Sequence, residues 1–480
     1  MGKSHSISTS IEDRALEAVP EAERQGWMKL SWNTVGIVTT LVQLFVGALT
    51  AFVAGMEIAL IAGFIVMLIG SLLGWGVGHV AYKTGLSSTV MSRLHGFGKN
   101  GSMITAIIFG FMIIGFIALE NVLLYKGLLF YFGIADSLTA KIVIYGALTL
   151  LWIGLTAFGF QLVTKVSSAL VVLFLGVLVY IMLNVLGSSG HTFGEAIGFA
   201  SQLPAEALLA MHAATPSDKL AFCVNVLIGS AGALALIDGD LGRYARTSRD
   251  VLIAAVLGNV FMDLGMLAIG GAVMYAGMGE LISYYVNTAG MTKEAAQQIV
   301  LQSPDSIASA FIVFGGILGT ALMLLAQTKA QVLNTYSASL SLTTLFDSIL
   351  GWRPGRLTFV VLANVIALLM MAESILEWFK PFITILGILT TCISGIIISD
   401  YFIVRPKLDS ALTAFNRSEA FNWAGIAVCA VAFVLAHFVL NSLIKIEFFT
   451  ALIFSVLAYP PVRLLMLRRH VSLSVSPSRG

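Results

Sequence analysis

The sequence from 102 to 131 reads SMITAIIFGFMIIGFIALENVLLYKGLLFY and contains only two charged residues, Glu120 and Lys126. A bilayer core of about 30 Å needs about 20 mainly apolar residues in a helix. This stretch is longer, and about twelve runs of this kind occur along the chain. They lie near 32–55, 57–80, 102–131, 138–158, 163–186, 219–236, 250–277, 307–334, 357–374, 379–399, 420–440 and 446–466. The runs predict an all-α polytopic membrane protein.

The composition excludes most other classes of protein. Charged residues make up 11% of the 480 residues and apolar residues 58%, and the net charge is +2. An ordinary soluble domain has roughly 25% charged residues. The chain therefore lacks the charge to cover a soluble enzyme, a disordered segment or a nucleic-acid surface. Its three cysteines lie in apolar runs and its histidines are scattered, so we expect no metal, no cofactor and no catalytic centre.

Lysines and arginines set the expected orientation. With twelve spans, every arginine falls on one side of the membrane, which predicts cytoplasmic termini and a location in the cytoplasmic (inner) membrane. We divide the chain into a cytoplasmic tail at 1–31, a core at 32–405, two additional helices at 406–466 and a second cytoplasmic tail at 467–480. Asp240 and Arg243 follow span six. We interpret them as a structural or gating link between that span and its loop.

Two segments rich in small residues predict interrupted helices. Span one contains Gly36-Ile37-Val38-Thr39-Thr40, and span six contains Gly229-Ser230-Ala231-Gly232. A broken helix exposes backbone groups that can bind a substrate or an ion. Close packing of helices through small residues is the alternative for either segment. Their matching positions, each in the first span of a half, favour an inverted repeat.

Several short motifs resemble those of one family. They are Gly36 to Thr40, Tyr82-Lys83-Thr84-Gly85-Leu86, Arg93-Leu94-His95-Gly96-Phe97-Gly98, Gly115-Phe116, Gly229-Ser230 and Asp240-Leu241-Gly242-Arg243-Tyr244. In order and spacing they resemble bacterial cytosine permeases of the purine/cytosine permease family of nucleobase–cation symporters. The resemblance covers roughly residues 25–405. It implies a five-plus-five inverted repeat with spans one and six broken, plus two extra helices.

The resemblance also implies a substrate site. Phe116 stands where the family presents an aromatic residue that stacks on the base, and Glu120 stands one turn later, where some relatives have an amide. Because residues four apart share a helix face, both point the same way. A hydrogen bond to a neighbouring helix is the alternative role for Glu120. Ser230 matches a substrate-site serine, whereas Ala231 replaces a frequent second aromatic residue.

Further candidates lie on spans one and eight. The glycine and threonine of the predicted break, Gly36 and Thr40, are expected to face the substrate. On span eight, Gln331 and Asn334 are each placed where an amide could bond a substrate edge.

Span eight departs most from the family. Where its sodium-coupled members have paired hydroxyls, this chain has Thr328 followed by Lys329. An ammonium is a compact cation with three donors. It could replace sodium beside the carbonyls of Gly36 to Thr40, with Thr39 at the same site, and a buried lysine can also exchange a proton. A permanent Lys329–carboxylate pair is the alternative.

These observations predict a secondary active transporter that works by alternating access. We expect a nucleobase such as cytosine or a purine, or a related nitrogenous heterocycle, carried with a proton and without sodium. An amine, polyamine or other organic cation is the alternative substrate. A channel would need continuous polar rings, and the sequence offers isolated charges beside helix interruptions instead.

Overall fold

The computed structural model describes residues 15–157, 160–302, 306–373 and 375–474. In this part of the chain the fold is helical, and strand-like pairing is limited to one bridge between Gln25 and Ala245. Helices satisfy every backbone hydrogen bond internally, as a spanning segment in lipid must. The predicted class of fold, an all-α polytopic membrane protein, is confirmed.

Each predicted run coincides with helix. Spans one to five are Trp27–Val38 with Leu41–Ala54, Met56–Thr84, Ser102–Phe132, Leu138–Ala157 and Phe160–Ser189. Spans six to ten are Pro216–Gly242, Ser248–Asn259 continuing through Val260–Met266 into Leu267–Ala289, Ser306–Leu350, Arg356–Ala372 and Phe379–Ser399. Spans eleven and twelve are Trp423–Val434 with Leu435–Val439, and Glu447–Ser474. Short helices in the connections are Ser88–Met91, Phe193–Gly198, Ala205–Ala210, Lys293–Gln302 and Ser410–Ser418. Taken as whole spans, nine and eleven are the shortest in the described part of the chain.

The packing of the spans follows the predicted repeat. Span six packs along span two, and span one packs along span seven. In a five-plus-five repeat each span corresponds to the span five places along, so span six corresponds to span one and span two to span seven. The first pairing is therefore the counterpart of the second. Span three packs along span eight, a pairing that the exchange leaves unchanged. The predicted five-plus-five arrangement therefore accounts for the most extensive contacts of the core.

Span one is broken where the sequence predicts it. Its first helix ends at Val38 and its second begins at Leu41, and the two axes differ by 62°. Thr40 lies between them in an extended conformation, and its hydroxyl accepts a hydrogen bond from the backbone amide of Gln43. A threonine at this position satisfies one of the amide groups that a new helix leaves free. The hydroxyl of Thr39 turns back to the Gly36 carbonyl.

The predicted break in span six is wrong, because this helix is continuous through Gly229 to Gly232. The small residues serve close packing instead. A Cβ on Gly387 of span ten would lie 2.5 Å from the Gly229 Cα, and one on Gly232 would lie 2.7 Å from the Thr390 hydroxyl. Spans six and ten therefore approach each other through backbone, the alternative that small residues in membrane helices also allow.

Two irregularities occur in the second half. Span seven passes through a π-helical turn, Val260–Met266, that carries the buried Asp263. Span eight has a non-helical residue at Gly316, where φ is 53° and ψ is −136°. The positive φ suits glycine, since a Cβ makes this conformation costly.

The described arginines of the segment before span one and of the loops that follow even-numbered spans gather at one end of the bundle, the arrangement that the sequence predicts. The Arg246 guanidinium donates to the Arg24 carbonyl, Arg93 pairs with Asp347 at 2.7 Å, and Arg405 lies beside His95. We call this the arginine-rich end.

Part of the predicted N-terminal tail is attached there: the Val19 backbone amide donates to the Gly85 carbonyl and the Gln25 backbone amide to the Tyr244 carbonyl. Both predicted tails also contribute to helices, since span one begins at Trp27 and span twelve ends at Ser474. The remaining parts of the predicted tails, 1–14 and 475–480, lie outside the described residues.

The two additional helices are fixed to the core by a buried polar network. The Tyr459 hydroxyl on span twelve donates to Asp400 at 2.6 Å, and His95 contacts the other Asp400 oxygen at 2.9 Å. Arg463 bonds both Asn416 and Glu419.

Candidate functional site

A small central cavity lies where the break of span one meets spans three, six, seven and eight. Its volume is about 30 Å³. The lining residues are Ile37, Val38, Gln43, Phe116, Glu120, Ser230, Ala233, Leu234, Ile237, Met262 and Asn334. A water molecule needs roughly 10–15 Å³ of such space. The cavity has room for one or two waters, so a heterocycle enters only if the surrounding spans move apart.

Glu120 lies on span three and faces the beginning of the second helix of span one. The Gln327 amide donates to its carboxylate, and the Thr40 hydroxyl and the Val42 backbone amide also interact with it. A helix N-terminus favours a negative charge because its first amide groups are free. The interhelical hydrogen bond considered as the alternative is thus present, and Glu120 nevertheless contributes to the cavity wall.

Lys329 crosses the first helix of span one. Its Nζ donates to the Trp32 carbonyl at 2.6 Å, and its side chain covers Gly36 so closely that a Cβ there would overlap it. The ammonium thus meets a span-one carbonyl, although one turn before the Gly36 to Thr40 segment that the sequence predicts. Among the described residues, no carboxylate pairs with Lys329, which disfavours the alternative of a permanent ion pair.

Ser230 and Asn334 provide polar groups from the two central spans. The Gln43 amide donates to the Ser230 hydroxyl at 3.2 Å, which connects span six to span one across the cavity wall. Asn334 is buried on span eight and lines the same cavity. With Glu120, these side chains surround the cavity with hydrogen-bond donors and acceptors.

Phe116 gives the cavity one aromatic wall. Its ring contacts Phe382 of span ten edge-on, with centroids 6.5 Å apart and an interplanar angle of 78°. Edge-to-face packing of this kind fixes the orientation of a ring. Phe382 therefore holds Phe116 from behind, while the position of the second family aromatic is Ala231.

Other predicted site residues lie away from the cavity. Ala231 does not line the cavity: it faces span two, where a Cβ added to Gly70 would lie 3.1 Å from the Ala231 Cβ. A one-residue step along a helix turns the side chain by about 100°, which removes Ala231 from the face of Ser230. Gln331 also lies outside the cavity lining, and its side-chain amide donates to the Ile117 carbonyl and to Asn121 of span three.

The remaining candidates of the span-one and span-eight segment support the backbone. Gly36 has no side chain and so leaves room for Lys329, and Thr40 caps the second helix of span one. The Thr39 hydroxyl donates to the Gly36 carbonyl of the first helix. The Thr328 hydroxyl donates to the Leu324 carbonyl of its own helix at 2.8 Å. These residues shape the site without lining the cavity.

Asp240 and Arg243 hold the end of span six in place. One Asp240 oxygen accepts hydrogen bonds from the Ser88 amide at 2.9 Å and hydroxyl at 2.7 Å. Arg243 bonds the hydroxyls of Tyr244 and Tyr336. These contacts join span six to the loop after span two and to span eight, as a structural or gating role requires.

Two glutamines were missed in the sequence. Gln43 bonds Ser230 and lines the cavity, and Gln327 bonds Glu120. Each is an uncharged polar residue within an apolar run, a weaker signal than a charge. Gln327 lies two residues before Lys329, so this turn of span eight places an amide on Glu120 of span three and an ammonium on the first helix of span one.

Solved structures of similar fold are transporters. Mhp1, a nucleobase-cation-symport-1 family transporter, in a closed conformation with bromovinylhydantoin bound, matches with a TM-score of 0.71 and 18% identity over 97% of each chain. Its inward-facing conformation matches with a TM-score of 0.71 and 17% identity, covering 96% of this chain and 95% of that one. A Na⁺-coupled sialic acid symporter in a substrate-bound outward-open state matches with a TM-score of 0.60 and 12% identity, covering 93% of this chain and 90% of that one.

The sequence comparisons decide the family. No curated protein sequence matches this chain significantly. The model of the family described as permeases for cytosine/purines, uracil, thiamine and allantoin matches residues 18–459. This is most of the chain, and the structural matches have the same fold. The chain therefore belongs to the purine/cytosine permease family of nucleobase–cation symporters, and it is a membrane transporter and not an enzyme.

Proposed function

We propose that this permease carries a nucleobase such as cytosine or a purine, or a related nitrogenous heterocycle, together with a proton and independently of sodium. The observation that carries the proposal is the position of Lys329, whose ammonium lies against the Trp32 carbonyl beside the broken span one. A side-chain ammonium thus stands near the place where the resemblance leads one to expect a dissociable sodium ion. Unlike sodium, a lysine supplies or removes this charge by binding or releasing a proton.

Proton movement at Lys329 would act directly on span one. With its proton, Lys329 holds the Trp32 carbonyl and covers Gly36, so the first helix of span one is fastened to span eight. Without it, the amine donates more weakly and this helix is freer to move. An equilibrium between conformations shifts only when a ligand binds them unequally. A proton that strengthens one span-one contact meets that condition.

The cavity lining supports a planar substrate with donor groups. When ionised, the Glu120 carboxylate only accepts hydrogen bonds, which suits the amino and imino groups of cytosine or a purine. The Phe116 ring offers a face for stacking, and Ser230 and Asn334 can bond other edges. We therefore assign substrate contacts to these four residues and coupling to Lys329.

An organic cation is the second candidate substrate. The cavity wall carries a carboxylate but has Ala231 facing away where a second ring would close over a flat base. A cationic amine would neutralise Glu120 while needing only one aromatic wall. The description of the family includes thiamine, a cationic heterocycle.

The same proposal includes the topology. The arginine-rich end faces the cytoplasm, with both termini there, and the protein lies in the cytoplasmic membrane. Residues 32–405 form the transporting core, and residues 406–466 add two helices. The hydrogen bond from Tyr459 to Asp400 attaches these helices to the core at the arginine-rich end.

Counterflow tests the function. The purified protein in liposomes preloaded with unlabelled cytosine, adenine or putrescine should accelerate uptake of the same labelled compound when it is a substrate. Acceleration by cytosine or adenine supports the proposal, and acceleration by putrescine alone favours the organic-cation alternative. Equal uptake with and without preloading for every compound contradicts a carrier for these classes.

A further inference from the structure

We propose that this permease binds an anionic phospholipid in a site on its membrane-facing surface, formed by spans two, ten and twelve at the arginine-rich end. The site has two adjoining parts. One is an apolar groove of about 640 Å³ along the three spans. The other is a basic pocket of about 620 Å³ at the end of spans two and ten. Phe402 lines both.

The apolar groove suits acyl chains. Its walls are aliphatic and aromatic side chains of the three spans, including Leu72, Ile453 and Leu457, which are 63%, 54% and 67% exposed. One hydroxyl is present, Ser399, and it donates to the Val456 carbonyl within the wall. The groove therefore offers a ligand no free polar group. A hydrocarbon chain enters such a groove without losing hydrogen bonds, whereas a polar group would lose them.

The basic pocket suits an anionic headgroup. Lys83 and Arg405 line it, and its lining contains no Asp or Glu. In the described part of the chain neither cation forms an ion pair with a carboxylate: Arg405 contacts the His95 ring at 3.4 Å and Lys83 lies over the Tyr82 ring. On the other side of His95, the buried Asp400 is bonded to that ring. Basic pockets between spans at the cytoplasmic side are typical sites for anionic lipid headgroups.

Aromatic rings mark the boundary between the two parts. Trp75 stacks on Phe402 with centroids 6.0 Å apart, and the His79 ring lies 5.4 Å from Phe402 and 5.7 Å from Tyr401. Amphipathic rings concentrate at the level of lipid headgroups. From Gly76 in the groove to Thr84 in the pocket, span two rises about 12 Å. Along the surface, the apolar groove, the aromatic rings and the basic pocket follow one another in the same order as the acyl chains, the interface and the headgroup of a phospholipid.

A lipid and not a free anion is the proposed occupant, because the basic pocket adjoins an apolar groove at Phe402, which lines both. Charge complementarity selects an anionic headgroup over a zwitterionic one. Each lysine or arginine near a membrane surface contributes a factor of about 5 in affinity for anionic lipid, so two together contribute about 30. The site is remote from the central cavity, with which it shares no lining residue.

Native mass spectrometry of the purified protein in detergent tests the inference. The probes are phosphatidylglycerol and phosphatidylcholine with identical acyl chains. We expect phosphatidylglycerol to bind about 30-fold more tightly to the wild type, a preference that Lys83→Gln with Arg405→Gln removes. Lys407→Gln is the control, since this exposed lysine lies nearby outside the pocket. If the double variant does not fold, each single variant should lose about 5-fold.

Groove variants test the other half of the site. Leu457→Trp should fill the groove and weaken binding of phosphatidylglycerol, whereas Leu465→Trp, on the same helix and also exposed, should not. Equal affinity for the two lipids in the wild type would overturn the inference. So would an unchanged preference in the double variant, an equal loss in Lys407→Gln, or displacement of the lipid by millimolar glycerol phosphate. None of these outcomes depends on the transported substrate.

Discussion

Replacing Glu120 by glutamine separates its role in substrate binding from its role in packing. The carboxylate has two acceptor oxygens and already interacts with Gln327, Thr40 and Val42. A glutamine keeps one acceptor and presents an amide donor in place of the other. One of the groups that donated to the carboxylate then faces the NH₂ group of the new glutamine and has no acceptor. An unsatisfied buried donor costs about 1–3 kcal/mol, so we expect Glu120→Gln to lower the thermal stability of the substrate-free protein.

The loss of affinity can be estimated separately. A hydrogen bond to a charged group contributes about 1.5–3 kcal/mol and a neutral one about 0.5–1.5 kcal/mol. The change from carboxylate to amide therefore removes about 1–2 kcal/mol from binding, or about 5- to 30-fold in Kd. Isothermal titration with cytosine, or with whichever amino-bearing compound shows counterflow, measures this loss. Glu57→Gln, at an exposed position in the first turn of span two, is the matched control and should change Kd little.

A swap of the two partners provides the sharper comparison. Glu120→Gln combined with Gln327→Glu restores one carboxylate and one amide to the pair, so stability should recover. Binding should not, because Gln327 does not line the cavity. Recovery of both stability and affinity in the double variant would refute the assignment of Glu120 to the substrate. An equal loss of affinity in Glu57→Gln would refute it as well.

Three other substitutions test separate parts of the structure. Phe116→Ala should weaken substrate binding several-fold while Phe116→Trp retains it, and titration of both variants checks that a flat ring is what matters. Gly387→Ala places a Cβ 2.5 Å from the Gly229 backbone, so forcing spans six and ten apart should cost about 1–3 kcal/mol and lower the melting temperature. Gly146→Ala, which meets nothing within 4 Å, should not, and equal melting temperatures would contradict the packing role. Lys329→Met should abolish accumulation driven by a proton gradient while counterflow persists, and gradient-driven accumulation in this variant would remove Lys329 from coupling.

The spans were predictable because bilayer thickness imposes a length that the sequence must match. The break in span one was predictable for a chemical reason: threonine can cap the helix that restarts at Leu41. Span six has a similar composition and stays helical, because Gly229 and Gly232 meet the backbone and threonines of span ten. Sequence alone does not distinguish a glycine that allows a helix to break from one that allows another helix to pack closely. The decisive partner lies more than 150 residues away.

The candidate site was predictable where one charged residue marks a face. Glu120 and Lys329 stand out in apolar runs, and both lie at the broken span one. Ala231 lies outside the cavity lining because a single step along the helix from Ser230 turns the side chain toward span two. The contact of Lys329 with Trp32, one turn earlier than expected, follows from the length of its side chain, which spans more than one turn of a neighbouring helix. Uncharged Gln43 and Gln327 gave no comparable signal.

Ion-replacement uptake tests the central claim most directly. Liposomes containing the wild-type protein are given a transported heterocycle with external sodium or with choline in its place, each with and without a protonophore. If Lys329 provides the cation and carries the coupled proton, uptake is the same in sodium and choline, and the protonophore lowers it in both. Uptake that requires sodium and is indifferent to the protonophore would contradict this account.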